Sequence, residues 1–186
     1  MLLALVGVTG VGKSYYKDLL VDQLNFKKVN TIRTRKKRPG EEVGKSGLFM
    51  TSEEIDDLES QGKIAYRFKV FGGEYAYLSD EIFSKDDMVF EMHYTTIYDW
   101  KKIRNDIKTI YLLPKDLNKA KEMTKLRNLS PEKEFERIKE IDEHYNRFFN
   151  DEDLRNQFDY ILYNNYDSSS DQELLDLVKK IKSESI

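Results

Sequence analysis

Short apolar runs alternate along the chain with amphipathic segments. Residues 2–8 form a continuous apolar run that ends in glycines, which is typical of a strand buried on both faces. Further runs of this kind lie at 88–92, 109–113 and 158–163. Between them, apolar residues recur at helical spacing, and we predict helices over 13–24, 95–104, 117–127, 132–149 and 171–182. Strands that alternate with helices predict an α/β fold, a parallel sheet flanked by helices on both sides.

The stretch from residue 29 to 78 departs from this pattern. Short β-rich pieces there are separated by glycines, and one helix is predicted after Thr51, which forms a capping box with Glu54. We therefore predict a small mixed α+β insertion over residues 31–83, standing off a core of residues 1–30 and 84–186. A length of 186 residues suits one domain.

Composition narrows the class of protein. Lys and Arg total 31 against 34 for Asp and Glu, and this acidic balance argues against nucleic acid as a partner. The apolar run at residues 1–6 is too short for a signal peptide or for the roughly 20 residues of a membrane span. We expect a cytoplasmic protein with no membrane partner, of undetermined oligomeric state. Cysteine is absent and the chain has two histidines, His93 and His144, so we expect no zinc cluster.

Residues 7–14 match the phosphate-binding pattern G-x-x-x-x-G-K-[ST] at every fixed position. The match follows an apolar strand and opens a helix, as the mechanism requires, because the loop amides and the helix N-terminus converge on phosphate oxygens. Lys13 is expected to reach the β- and γ-phosphates, and the Ser14 hydroxyl to ligate Mg²⁺. We predict binding of a nucleoside triphosphate, ATP, with Mg²⁺ by Gly7, Thr9, Gly10, Val11, Gly12, Lys13 and Ser14.

A basic run opens the predicted insertion. Five of the six residues from Arg33 to Arg38 are basic. Such a run is often a solvated face or a nucleic-acid patch. We favour a clamp for the phosphate of a second substrate, because the chain is acidic overall and because guanidinium groups bind phosphate bidentately.

The pattern Thr34-Arg35-x-x-Arg38-x-Gly40-Glu41-x-x-Gly44 resembles the signature of the guanylate kinase family. The resemblance runs along nearly the whole chain. It implies a P-loop kinase fold with a helical lid at about 123–137, and phosphoryl transfer from ATP to a nucleoside monophosphate, GMP or dGMP first of all. In that family the arginines that match Arg35 and Arg38 hold the phosphate of the acceptor.

The resemblance also implies roles for single residues. Lys13 is expected to be catalytic together with the lid arginines Arg127 and Arg137. Asn164 is expected near the adenine of ATP. Glu91 is expected on the acceptor side of the cleft and, together with Ser14, near the metal. An ordinary carboxylate at the end of a strand is nearly as good an interpretation of Glu91. The remaining residues expected to bind the acceptor are Thr31, Tyr66, Tyr75 and Tyr77.

Several positions depart from the family pattern. Gly47 stands where the family has a phosphate-binding tyrosine, Tyr66 where it has a glutamate that reads guanine, and Met123 where it has the first lid arginine. Two alternatives therefore stay open. One is a kinase for another phosphorylated acceptor, such as a different deoxynucleotide or a ribose bisphosphate. The other is a non-catalytic guanylate kinase-like binding module, which we rank last because the phosphate loop is intact.

Overall fold

The computed structural model describes residues 1–37, 40–44, 46–70, 72–127 and 129–184. The strands are β1 (Leu2–Gly7), β2 (Lys27–Lys28), β3 (Thr31–Arg33), β4 (Leu48–Phe49), β5 (Ile64–Val70), β6 (Gly73–Leu78), β7 (Met88–Glu91), β8 (Lys108–Pro114) and β9 (Tyr160–Asn164). The helices are α1 (Lys13–Leu24), α2 (Ser52–Ser60), α3 (Ser79–Ile82), α4 (Ile97–Ile103), α5 (Leu117–Lys125), α6 (Pro131–Asn150), α7 (Glu152–Arg155) and α8 (Ser168–Glu184), with a 3₁₀ turn at Tyr94–Thr96 before α4.

The central sheet is parallel and has the strand order β2-β7-β1-β8-β9. Strand β1 lies in the middle, with β7 and β8 as its neighbours, which explains its unbroken apolar sequence. Leu2, Ala4 and Val6 face a core that contains Trp100, whereas Leu3 and Leu5 face the core on the opposite side of the sheet. The predicted α/β architecture is confirmed. The edge strand β2, a pair of lysines, carries no apolar signal and was not predicted.

A second, smaller sheet has the order β4-β3-β6-β5, in which β6 runs antiparallel to both β3 and β5. Helix α2 buries Ile55 against Ile32 and Ala76 of this sheet. The predicted capping box is present, because Thr51 Oγ1 accepts from the Glu54 amide at 3.2 Å and the Glu54 carboxylate accepts from the Thr51 amide at 2.7 Å. This unit is the mixed α+β insertion that the sequence predicts; its exact limits at residues 31 and 83 stay a prediction.

Helix ends differ from the predicted ends by a few residues. For example, α8 begins at Ser168 rather than 171, where the Asp167 carboxylate accepts from the amides of Ser169 and Ser170 at 3.0 and 3.3 Å. No helix in the described part of the chain is long and apolar enough to cross a membrane.

Candidate active site

A cleft of about 590 Å³ lies between the carboxyl edge of the central sheet, the small sheet and helix α6. It brings together most of the residues that the sequence singled out: Gly7, Thr9, Gly10, Gly12, Lys13, Ser14, Thr31, Arg35, Tyr75, Tyr77, Glu91, Arg127 and Arg137. Met123 also lines it. Val11, Asn164 and Tyr66 are not among the lining residues. Arg38 lies outside the described residues.

The phosphate loop rests directly on helix α5. Gly10 has a φ of +81°, and a Cβ atom there would lie 2.8 Å from Thr124 Oγ1 and 2.9 Å from the carbonyl carbon of Ala120, closer still to its oxygen. Glycine is therefore required at this position both by the left-handed backbone and by the close approach of the helix.

Lys13, the first residue of α1, lies across the loop. Its ammonium donates hydrogen bonds to the carbonyl oxygens of Gly7 at 2.7 Å and Val8 at 2.8 Å. Burial lowers the pKa of Lys13 to about 8, because an ammonium away from water is less favourable than a neutral amine. The charge of Glu91 acts in the opposite direction, and an arriving phosphate would add to it and favour the ammonium form.

Glu91 lies at the end of β7 and connects the loop to the first turns of α1. Its Oε1 accepts from Ser14 Oγ at 2.9 Å and from Lys17 Nζ at 2.7 Å. Burial alone would raise the pKa of this carboxyl, but the charges of Lys17 and Lys13 lower it to about 2, so Glu91 is ionised. Lys17 was missed by the sequence analysis; its only signal is the four-residue spacing from Lys13 on one helix face.

Asn164 supports the loop from behind through its contact with Val11. The Asn164 side chain is buried, donates to the Val11 carbonyl at 3.0 Å, and accepts from the Tyr166 amide at 2.6 Å. The Tyr166 hydroxyl in turn donates to the Gly10 carbonyl at 3.4 Å. Asn164 therefore fixes the shape of the loop, whereas its predicted contact with adenine stays a prediction.

On the opposite wall, Arg35 forms a bidentate ion pair with Glu41, at 2.7 and 2.5 Å, and its guanidinium lies 5.5 Å from the centre of the Phe49 ring. The hydrogen bonds that Arg35 donates to Glu41 raise the pKa of Arg35 above its usual value. The planar group is thus held in one orientation toward the cleft, and Tyr75 is among its neighbours.

Arg33 is a cleft residue that the sequence analysis included in the basic run but gave no role of its own. Its guanidinium donates to the Ser46 carbonyl and occupies the space beside Gly47. A Cβ at residue 47 would contact that guanidinium and lie 2.6 Å from the Thr31 carbonyl oxygen. A side chain at position 47 is therefore excluded while Arg33 lies there, and the phosphate-binding tyrosine that the family resemblance implies has no room at this position.

The aromatic residues of the small sheet form a ladder. Tyr77, fully buried, donates to the Glu91 carbonyl at 3.3 Å, and Phe68 stacks between Tyr75 and Tyr66 with ring centres 5.4 Å from each. Tyr66 lies at the far end of the ladder, against Trp100. Its hydroxyl donates to Asp99 at 2.8 Å. The structure therefore brings Tyr77 and Tyr75 to the cleft but places Tyr66 beyond its lining.

Helices α5 and α6 form the wall over the phosphate loop, where the sequence predicts a lid. Arg127 follows α5, and Arg137 lies in α6, where it donates to Glu140 Oε2 at 2.6 Å. Both arginines line the cleft on the side of Lys13, and their charges act to lower the Lys13 pKa. A cationic wall of this kind suits the phosphate groups of a nucleotide.

The two histidines of the chain lie together in the same cleft. Their rings are 5.6 Å apart, and Glu140 lies with them, so that one ligand atom from each of His93, Glu140 and His144 falls within 4.8 Å of the others. The expectation of no zinc cluster counted histidines alone and did not include a carboxylate as the third ligand.

Comparison with known proteins agrees with this geometry. A guanylate kinase from Wolbachia pipientis wMel is 25% identical over 97% of this chain and 90% of its own length. One from Mycoplasma mobile is 26% identical over 96% and 92%. The crystal structure of guanylate kinase from Anaplasma phagocytophilum superposes with a TM-score of 0.71 at 18% identity, covering 99% of this chain and 85% of that one. The family model described as guanylate kinase matches residues 1–181, and the chain therefore belongs to the guanylate kinase family.

Proposed function

We propose that this protein transfers the γ-phosphoryl group of ATP to GMP, giving ADP and GDP. Membership of the guanylate kinase family makes the chain a nucleoside monophosphate kinase and confirms the sequence-based recognition. It favours neither a kinase for an unrelated acceptor nor a non-catalytic module. A cytoplasmic setting, the absence of a nucleic-acid partner and the use of dGMP stay predictions.

One observation carries the mechanism: two anion-binding walls face each other across one cleft, the loop with Lys13 on one side and Arg35 with Arg33 on the other. Phosphoryl transfer needs the two phosphates aligned and their charge neutralised, with little covalent chemistry from the protein. We assign Lys13 and the loop amides to the β- and γ-phosphates of ATP. We assign Arg33, Arg35, Tyr75 and, outside the described residues, Arg38 to the phosphate of GMP.

The oxygen donors in the cleft fit a magnesium ion. Ser14 Oγ and Glu91 Oε1 are 2.9 Å apart at the mouth of the loop, and Mg²⁺ prefers hydroxyl, carboxylate and phosphate oxygens. We therefore propose that Ser14 holds Mg²⁺, with Glu91 on the ion or on its water. When bound, the ion would neutralise charge on the transferred phosphoryl group. Lys17 keeps Glu91 ionised, the form that this role requires.

Arg127 and Arg137 are proposed to close over the transferring group. Their guanidiniums would balance the charge that spreads over the equatorial oxygens, and closure of the helical wall would exclude water that otherwise hydrolyses ATP. No catalytic base is required, because the acceptor phosphate is already an anion at neutral pH.

A coupled assay across the ribo- and deoxynucleoside monophosphates tests the proposal. We expect ATP-dependent turnover of GMP, lost in Lys13→Ala and in Arg38→Ala. The control variant is Lys179→Ala, which removes a lysine that is 56% exposed on α8 outside the cleft lining. ATP binding with no turnover of any acceptor would refute the enzyme, and turnover of another acceptor alone would refute GMP as its substrate.

A further inference from the structure

We propose that His93, Glu140 and His144 form a binding site for one divalent transition-metal ion of the zinc class. This site is on the α6 side of the cleft and is distinct from the magnesium position proposed at Ser14 and Glu91. The chain has two histidines in 186 residues, and the fold brings both of them to one carboxylate.

The spacing of the three side chains suits a common ion. Glu140 and His144 lie one turn apart on α6, with Glu140 Oε1 3.7 Å from His144 Nδ1. Two ligands at zinc bond lengths of 2.0–2.1 Å in tetrahedral geometry are about 3.3 Å apart. His93, in the loop after β7, completes a set of ligand atoms within 4.8 Å of one another. Small side-chain rotations would therefore bring all three onto one ion.

Neighbouring groups orient two of the three ligands. The Thr95 hydroxyl lies 2.7 Å from His93 Nδ1. Arg137 binds Glu140 through Oε2, which leaves Oε1 on the side of His144. Metal ligands in proteins are commonly oriented by such outer hydrogen bonds, which fix the ring and the carboxylate. The side chains of Glu140 and His144 are only 13% and 12% exposed, so the carboxylate and imidazole are largely removed from competing water.

The protonation state agrees with ligation. Burial, together with the charges of Lys13 and Arg137, lowers the pKa of His93 to about 4. Burial, together with the charges of His93, Lys13, Arg137 and Arg147, lowers the pKa of His144 to about 3. Neutral imidazole is the form that binds a metal. The same cations repel a divalent ion, and the Glu140 carboxylate is the ligand that offsets them. We therefore expect removal of the Glu140 charge to weaken binding as strongly as removal of either histidine.

A metal ion here would have two consequences. It would connect the loop after β7 to helix α6. The core would then be linked through the ion to the helical wall over the phosphate loop. With three protein ligands, it would also keep a fourth position for water or a phosphate oxygen, as zinc sites with three protein ligands do. The proposed kinase activity is not needed for either consequence, so the site can be tested without turnover.

The test uses the full-length, nucleotide-free protein. Zn²⁺ is titrated against a chromophoric chelator, and Co²⁺ is titrated while its visible absorption is recorded, since tetrahedral Co²⁺ absorbs far more strongly than the hydrated ion. We expect one ion per chain, strong Co²⁺ absorption and a raised Tm with Zn²⁺. His93→Ala, His144→Ala and Glu140→Gln should each weaken Zn²⁺ binding at least tenfold.

Glu143→Gln is the matched control, because Glu143 lies on the same helix but is 62% exposed and paired with Lys139. It should bind Zn²⁺ as the unaltered chain does. Circular dichroism and thermal unfolding without metal check that each variant is folded. If one variant does not fold, the proposal is judged from the Co²⁺ spectrum of the unaltered chain and from the Zn²⁺ affinities of the other two variants. Absence of strong Co²⁺ absorption, or equal Zn²⁺ affinity in the control and in the ligand variants, would overturn the proposal.

Discussion

Substitution of Gly10 by alanine tests how the phosphate loop is held. The new Cβ would lie 2.8 Å from Thr124 Oγ1 and 2.9 Å from the Ala120 carbonyl carbon, whereas heavy atoms in contact are normally about 3.5 Å apart or more. Helix α5 presents backbone at this point, so it is the loop that must move, by roughly 1 Å. A displacement of that size at a reacting group costs about 100-fold in rate. We therefore expect kcat/KM for ATP to fall about 100-fold in Gly10→Ala.

Gly62→Ala is the matched control for backbone strain. Gly62 has a φ of +70°, close to the +81° of Gly10, but a Cβ added there would meet no atom of the described residues within 4 Å, its chain neighbours aside. Each variant holds an alanine in the left-handed backbone conformation, which costs about 1 kcal/mol of folding free energy. Only Gly10→Ala adds the collision with α5. Thermal unfolding should show a modest destabilisation in the control, with its ATP affinity unchanged.

The measurements are ATP affinity by isothermal titration calorimetry and kcat/KM from a coupled assay of ADP release. If the kcat/KM values of Gly10→Ala and Gly62→Ala for ATP lie within threefold of each other, the loop tolerates the added methyl group. The argument that α5 fixes the loop would then be wrong.

Other parts of the cleft give two more predictions, and the edge of the core gives a third. Arg33→Ala should raise KM for GMP about tenfold or more, because one charged hydrogen bond to the GMP phosphate contributes about 1.5–3 kcal/mol. ATP affinity, measured by calorimetry, should stay unchanged, and an equal loss of ATP affinity would contradict the prediction. Glu91→Gln should lower kcat/KM for ATP at least tenfold, since Lys17 and Ser14 lose their anionic acceptor; Mg²⁺ dependence of the rate measures it, and an unchanged Mg²⁺ requirement would remove Glu91 from the ion. Asp87→Asn should destabilise the fold by about 1 kcal/mol: burial alone would raise the Asp87 pKa, but Lys182 and the amino terminus lower it. A lowered carboxyl pKa stabilises the fold at pH values above the ordinary carboxyl range, and this stabilisation is lost as the pH falls through the lowered value. The difference in unfolding free energy between the unaltered chain and Asp87→Asn, measured by urea denaturation, should therefore be complete at neutral pH and vanish in acid.

The parts of the structure that the sequence predicted are those with local causes. The apolar run of β1, the glycines and Lys13 of the loop, and the amphipathic helices depend on spacing along the chain, and each of these elements is present. The capping box at Thr51 is likewise a contact between residues three apart.

The parts that the sequence missed depend on which distant segments meet. Arg33 enters the cleft because glycine at position 47 makes room for its guanidinium, a contact between β3 and the loop before β4. His93 and His144 are brought together by the packing of α6 over the loop that follows β7. Tyr66 shares a strand face with Phe68, yet Trp100 of α4 covers it, and no local pattern indicates which end of a strand a neighbouring helix covers.

The central claim is that one cleft holds the phosphates of two nucleotides face to face. The most direct measurement is calorimetric binding of a linked ligand, adenosine and guanosine joined by five phosphates, to the unaltered chain and to Lys13→Ala and Arg35→Ala. The account predicts one ligand per chain, bound more tightly than ATP or GMP alone because the linked half binds at high effective concentration, with a large loss of affinity in both variants. Binding no tighter than that of ATP, or an Arg35→Ala variant that binds the linked ligand as well as the unaltered chain does, would contradict it.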